Sequence, residues 1–244
     1  MSRPLFAAEG VGRRFGSRLV LKNGSCWVQP GRITSIFGRN GSGKTTLLRC
    51  ATGLTRMDHG VVHYDGASHL RPSLAALARR GLMFVPAEGV LMRGRRVVPQ
   101  IDAFAWRFRA GRTTQQALDA LRLDHVGDAI TDELSGGEQR RASIAAVIAR
   151  APRCLLIDEP LAGVAPKDRE LISTTLRQIA AAGCGILLTG HDVESVLEIS
   201  DDVIWMTAGT THGIGTPADA VAHEQFRREY LGPKFEPLRQ PTHP

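Results

Sequence analysis

Gly38-Arg39-Asn40-Gly41-Ser42-Gly43-Lys44-Thr45 mixes glycines with small polar residues and ends on a cation and a hydroxyl. Glycines let the backbone curl so that successive N–H groups point at one spot, a nest for phosphate oxygens. A helix expected to begin near Lys44 adds its positive N-terminal end to that spot. Lys44 can reach the β and γ phosphates of a nucleoside triphosphate, and the Thr45 hydroxyl suits Mg²⁺. The spacing fits G-x-x-x-x-G-K-[ST] in the required setting, after the apolar run Ile33–Phe37 and before a helix. The expected nucleotide contacts are Gly38, Arg39, Asn40, Gly41, Ser42, Gly43, Lys44, Thr45 and the following Thr46. The chemistry indicated is that of a purine nucleoside triphosphate with its metal.

Such a loop needs an acidic partner for the metal. Cys154-Leu155-Leu156-Ile157-Asp158-Glu159 is an apolar strand ending in two carboxylates. Asp158 is placed to hold Mg²⁺ through water, and Glu159 to orient and polarise an attacking water. On its own, an acidic pair at a strand end also serves as a solvated turn or a helix cap. A third run, Leu134-Ser135-Gly136-Gly137-Glu138-Gln139, precedes an apolar-periodic helix. As bare physics it is a glycine-relieved helix N-terminus able to accept an anion, or an N-cap by Ser135 with Glu138 completing a capping box.

Taken in this order, the phosphate loop, LSGGE and the acidic strand resemble the ATP-binding-cassette (ABC) ATPase family over residues 5 to 231. The resemblance implies ATP and Mg²⁺ as ligands and further roles. Phe15 matches the aromatic that stacks on adenine, the alternative being a core phenylalanine. Ser135 and Gly137, with Gly136 between them, match positions that contact the γ-phosphate of ATP held by the opposite subunit. His191, in Thr189-Gly190-His191-Asp192, matches the histidine that keeps the γ-phosphate and Glu159 in register. Glu159, His191 and Lys44 are thus the implied catalytic set, with Thr45 and Asp158 on the metal. Two cassettes are expected to stack head to tail, each completing the other's site. The second cassette is a copy or a paralogue.

Two positions depart from the family pattern. A glutamine usually follows the third-strand region, and here the stretch reads Phe84-Val85-Pro86-Ala87-Glu88-Gly89, with Ala87 or Glu88 in that slot. Cassettes of branched-chain amino-acid importers look like V-P-E-G here, which favours Glu88. A glutamate can ligate Mg²⁺ but donates no hydrogen bond when ionised. In Gly163-Val164-Ala165-Pro166, Ala165 stands where an aspartate usually precedes the proline. The runs Glu159–Val164 and Tyr230–Gly232 are similar to lipopolysaccharide-export and branched-chain-import cassettes.

The elements that must position these residues are legible too. The apolar runs Ile33–Phe37, Leu82–Val85, Leu155–Ile157, Ile186–Thr189 and Val203–Met206 read as buried strands. Helical spacing marks Ile144–Ile148 and Leu171–Ile179. The fold class expected is α/β: a P-loop NTPase core with a mostly parallel sheet, an N-terminal antiparallel β layer and an inserted α-helical subdomain. Before residue 33, short extended pieces punctuated by Gly10, Gly12, Gly16 and Gly24 suggest the antiparallel layer. One domain over 1–235 is expected, with core about 1–86 and 151–231, helical insertion about 87–150, and an irregular tail 232–244.

Composition bounds the function classes. With 43% hydrophobic and 23% charged residues among 244, the chain can bury a sizeable core. No apolar run reaches the ~20 residues of a membrane helix, and MSRPLFAAEG lacks the apolar stretch of a secretory signal. Cys26, Cys50, Cys154 and Cys184 form no CxxC pair, which fits a reducing compartment. The net charge of +7, from 31 Lys+Arg against 24 Asp+Glu, suits nucleic acid, an anionic membrane or an anionic small ligand, or a solvated Arg-rich surface. The arginines come in scattered pairs and form no single basic block of a nucleic-acid tail, so charge alone does not choose among these; the resemblance implies no direct nucleic-acid partner. The resemblance implies transmembrane permease subunits as partners and a cytoplasmic, membrane-peripheral location. The competing class is a soluble ABC ATPase acting on nucleic acid or ribosomes. One phosphate loop, one LSGGE and a short insertion argue for transport.

Overall fold

Strands covered on both faces are built mainly of apolar residues, and four segments are buried at every position. They are β3 (Ile33–Phe37), β6 (Leu82–Val85), β7 (Cys154–Ile157) and β8 (Gly185–Gly190), each buried throughout. The computed structural model describes residues 3–108, 113–190 and 192–231. Its remaining strands are β1 (Phe6–Phe15), β2 (Arg18–Val28), β4 (His59–Tyr64), β5 (Ala67–His69), β9 (Asp202–Thr207) and β10 (Thr210–Gly215). All ten form a sheet in the order β5-β4-β1-β2-β10-β9-β3-β8-β7-β6. β9, β3, β8, β7 and β6 run parallel to one another, β10 pairs antiparallel with β9 and through one parallel bridge with β2, and β1, β2, β4 and β5 pair antiparallel among themselves.

The helices are α1 (Lys44–Ala51), α2 (Leu74–Arg79), α3 (Val97–Phe108), α4 (Thr114–Ala120), α5 (Gly136–Arg150), α6 (Pro166–Ala181), α7 (Val193–Glu198) and α8 (Pro217–Ala222), followed by a short helical stretch Glu224–Leu231. The two-residue period of the strands divides the core. Leu155, Ile157, Ile186 and Leu188 face a cluster built with α5 and α6, including Ile144, Val147, Ile172 and Leu176. Leu156, Leu187, Ile36 and Ile204 face a second cluster with α1, β1 and β2, including Leu47, Leu48, Leu21 and Phe6. Between β6 and β7 the described residues form helices and one isolated bridge, Arg96 to Ile130.

The N-terminal layer differs from the sequence reading in one respect. β1 and β2 are long strands of 10 and 11 residues, not short pieces. Gly10 and Gly12 fall where the β1–β2 register shifts between Ala8, Val11 and Arg13, so they bend the strand without ending it. β4, β5 and β10 had no clear signal in the sequence, because partly exposed strands carry many polar residues. The expected tail 232–244 lies outside the described residues.

Register places the chemistry. Phe37 pairs with Gly190 on β8, and Ile157 with Leu188, so the C-terminal ends of β3, β8 and β7 lie side by side. Val85 at the end of β6 pairs with Ile157. The phosphate loop, Thr189, the acidic pair and the Ala87–Glu88 turn therefore all leave one edge of the sheet. Ligands of open α/β sheets bind at that edge.

Candidate functional site

The loop after β3 holds a fixed shape by its own bonds. Ser42 N–H donates to Arg39 O at 3.0 Å, and Gly209 N–H donates to Ser42 O at 3.1 Å. Gly43 sits at φ +112°, and a Cβ there would come within 2.8 Å of Leu21 Cδ2 and 2.9 Å of Met206 Cε. Only glycine fits both the backbone and the space. Arg39, Asn40 and Gly41 are exposed, and α1 begins at Lys44 as expected.

Lys44 is 5% exposed, and its Nζ donates to Gly38 O at 2.6 Å. It thus lies across the mouth of the nest, with Glu159 Oε1 at 3.9 Å. Burial lowers the Lys44 pKa, an effect opposed by the nearby Glu159 and Asp158. Ser42 Oγ is buried without a partner, a hydroxyl pointing into the loop. Arg18, Val20, Asn40, Gly41, Gly43, Lys44, Thr45, Thr46 and Glu159 line one cavity of about 360 Å³. The structure therefore brings together most of the expected phosphate contacts and one of the two carboxylates on its wall.

Asp158 is 1% exposed. Thr189 Oγ1 donates to its Oδ1 at 2.5 Å, and the same hydroxyl accepts from Glu159 N–H at 3.0 Å. Glu159 adopts φ 47°, a left-handed conformation that costs a non-glycine residue roughly 1–2 kcal/mol. Thr189 thus holds both acids at once: the carboxylate of one and the strained backbone of the other. Asp158 Oδ2 remains buried without a partner. A buried, unpartnered carboxylate oxygen beside the phosphate loop fits a divalent cation. His191 lies outside the described residues. The residues flanking it are anchored, Gly190 by pairing with Phe37 and Asp192 by Arg169.

In the sequence Thr189 stood as the end of a predicted strand and as a neighbour of His191, with no role of its own. The signal that could have found it is a hydroxyl at the end of an otherwise apolar, fully buried strand. Thr189→Val removes the hydroxyl at constant volume and leaves two groups unsatisfied. It is expected to destabilise the fold by about 2 kcal/mol in a denaturant titration. ATPase turnover should fall more than ATP affinity, and Thr189→Ser should restore both.

The other expected contacts lie apart from this cavity. Ser135 and Gly136 are exposed at the start of α5, with Gly137 half-buried. The capping box expected there forms: Glu138 N–H donates to Ser135 Oγ at 3.3 Å, and Ser135 N–H donates to Glu138 Oε2 at 2.9 Å. Phe15 is 45% exposed, so it is no core residue. Arg13 Cζ stacks 4.5 Å from its ring centroid and is itself held by Asp58 at 3.0 Å. One face of the ring is covered by a cation.

Glu88 is exposed and lines a groove with Arg49, Leu54, Leu74, Phe84 and Phe104, while Ala87 is half-buried. Its turn packs on α5, where Val90 N–H donates to Ser143 Oγ at 3.3 Å. Arg140, one turn earlier on α5, has its pKa lowered by burial against the opposing influence of Glu159, Asp158 and Glu88. That arginine lies within the electrostatic influence of both the Glu88 turn and the acidic pair and was given no role in the sequence. Ala165 caps α6 with no side-chain bond, where an aspartate would have accepted one.

A family profile described as "ABC transporter" matches residues 21–162. The chain is 33% identical over 234 residues to a protein of Azorhizobium caulinodans named "Probable ABC transporter ATP-binding protein", covering 94% of this chain and 83% of that one. It is 31% identical over 239 residues to the lipopolysaccharide export system ATP-binding protein LptB of Haemophilus influenzae, covering 95% and 99%. A solved ATP-binding cassette of an ABC transporter in its ADP conformation superposes with a TM-score of 0.79 at 22% identity, covering 95% of this chain and 100% of that one. The last likeness speaks for the fold, and the sequence matches speak for the lineage. The chain belongs to the ABC transporter family, as an ATP-binding and ATP-hydrolysing subunit.

Proposed function

We propose that two cassettes stack head to tail around two ATP molecules, and that this closure drives separate transmembrane subunits. One observation carries the reading. Lys44, Thr45, Thr46 and Glu159 line a single cavity, while Ser135, Gly136 and Gly137 stand outside it, solvent-accessible at a helix start. One chain thus supplies half of a phosphate site and, elsewhere, half of another. A second copy supplies the missing donors.

Within the sandwich each residue has a task. The Gly38–Thr46 backbone and Lys44 hold the β and γ phosphates, and Phe15 offers its uncovered face to the adenine. Thr45 and Asp158 would hold Mg²⁺, whose positive charge offsets that of the phosphates. Glu159 accepts a proton from the attacking water, and His191 keeps the γ-phosphate in register with it. Glu88, at the turn after β6, senses closure from the groove side. Gly137 N–H donates to the γ-phosphate bound on the other copy, and so does the Ser135 hydroxyl once it turns from Glu138.

The groove beside Glu88, about 460 Å³, suits a short helix from a membrane subunit. Leu54 is 47% exposed there, and Phe104 of α3 contributes to the same wall. None of the helices among the described residues is long and apolar enough to cross a membrane. Recruitment through this groove makes the chain a peripheral protein on the cytoplasmic face. The division into a core and a helical insertion over about 87–150 follows the same reading, since α3 and α4 both pack on α5. Leu54→Asp sets a charge in the groove and should abolish co-purification of the membrane subunit from detergent extracts. Retained ATP binding controls for folding, and undiminished co-purification would reject the groove.

A further inference from the structure

The start of α5 is flanked by two carboxylates, each held by a base. Asp168 Oδ2 lies 2.9 Å from where a Cβ on Gly137 would stand, and its Oδ1 is 3.3 Å from Arg141 Nε. Glu138 Oε2 accepts from Ser135 Oγ at 2.6 Å, and Glu138 Oε1 lies 2.8 Å from His125 Nε2. The Ser135 bonds first, and His125 second, hold the Glu138 carboxyl down to about 2, so it is ionised at neutral pH. An ionised carboxylate only accepts hydrogen bonds, so His125 Nε2 carries the proton and donates.

His125 is fixed from below. Its neighbours Leu123 and Val126 are buried in the core at 0% and 3% exposure, which sets the backbone of this single turn. The imidazole stands outward, its side chain 56% exposed, and spends its Nε2 on Glu138. A γ-phosphate brought to Ser135 by a second cassette meets the Glu138 charge at the same place. Like charges that close repel unless a cation or a strong donor offsets them.

We propose that His125 is a positioning residue for the trans site: it holds Glu138 and offsets its charge, so that Ser135 can meet the γ-phosphate of the opposite ATP. This rests on the ATP sandwich proposed above. It acts on dimerisation and leaves the phosphate loop of its own chain untouched.

The test uses the full chain in a Glu159→Gln background, with ATP and Mg²⁺ as the probe and sedimentation as the readout of dimer. His125→Ala should raise the ATP concentration for half-maximal dimerisation about fivefold. His125→Gln keeps an N–H donor and should recover most of that loss. With Glu138→Gln also present, His125→Ala should be silent, since no charge remains to offset. ATP affinity of the monomer and the thermal midpoint should not move. A parent that stays monomeric at saturating ATP overturns the sandwich and this proposal with it. A parent that dimerises overturns the His125 role alone if His125→Ala matches it, or if the loss persists undiminished in the Glu138→Gln chain.

Discussion

Glu159→Gln is expected to bind ATP as the parent chain does and to hydrolyse it at least 10²-fold more slowly, the order contributed by a positioned general base. The amide keeps the shape of the side chain, and Thr189 still receives the backbone N–H of residue 159. The phosphate loop, held by Ser42 and Gly209, is untouched. What is lost is the acceptor for the proton of the attacking water. Slow turnover then leaves the ATP-bound sandwich intact, and an ATP-dependent shift from monomer to dimer on a sizing column reports it. Wild-type turnover in the variant would contradict the role given to Glu159.

Lys44→Ala should lower ATP affinity by tenfold or more, since a charge-assisted hydrogen bond contributes roughly 1.5–3 kcal/mol. Lys44 is the cation that already spans the nest, bonded to Gly38 O in a buried position. In the parent chain, ATP takes over a donor that is desolvated and oriented beforehand. In the variant, the bare loop faces the phosphates with backbone N–H groups alone. Equilibrium binding of a fluorescent ATP analogue measures the difference, and an unchanged affinity would remove the phosphate-loop assignment.

Most of the edge that carries the phosphate loop and the acidic pair was legible in the sequence because the residues there answer to local rules. β3, β6, β7 and β8 are short, fully buried runs rich in apolar residues, and each ends within a residue of where the pattern stops. The Ser135–Glu138 capping box follows from spacing alone. The less legible parts depend on partners far along the chain. β10 is read only against β9, and β4 only against β1. Thr189 gains its meaning from Asp158 and Glu159, 31 and 30 residues away. Arg140 is one arginine among many until the fold sets it near Glu88 and the acidic pair. His125 is an ordinary surface histidine until α5 brings Glu138 to it.

The position of β3 in the sheet has a consequence for biosynthesis. β3 is complete at Phe37, yet its two neighbours are β8 and β9, residues 185–190 and 202–207. As the chain leaves the ribosome, this strand, buried throughout in the final fold, waits with both edges unpaired until β8 and β9 have emerged. Unpaired strand edges of this kind recruit other chains. Until then the unpaired β3 is a point of aggregation risk in the nascent chain. The same wiring means that the phosphate loop cannot take its final shape until Gly209 arrives to donate its N–H to Ser42 O. Nucleotide binding by the fully shaped loop therefore comes only after that contact has formed.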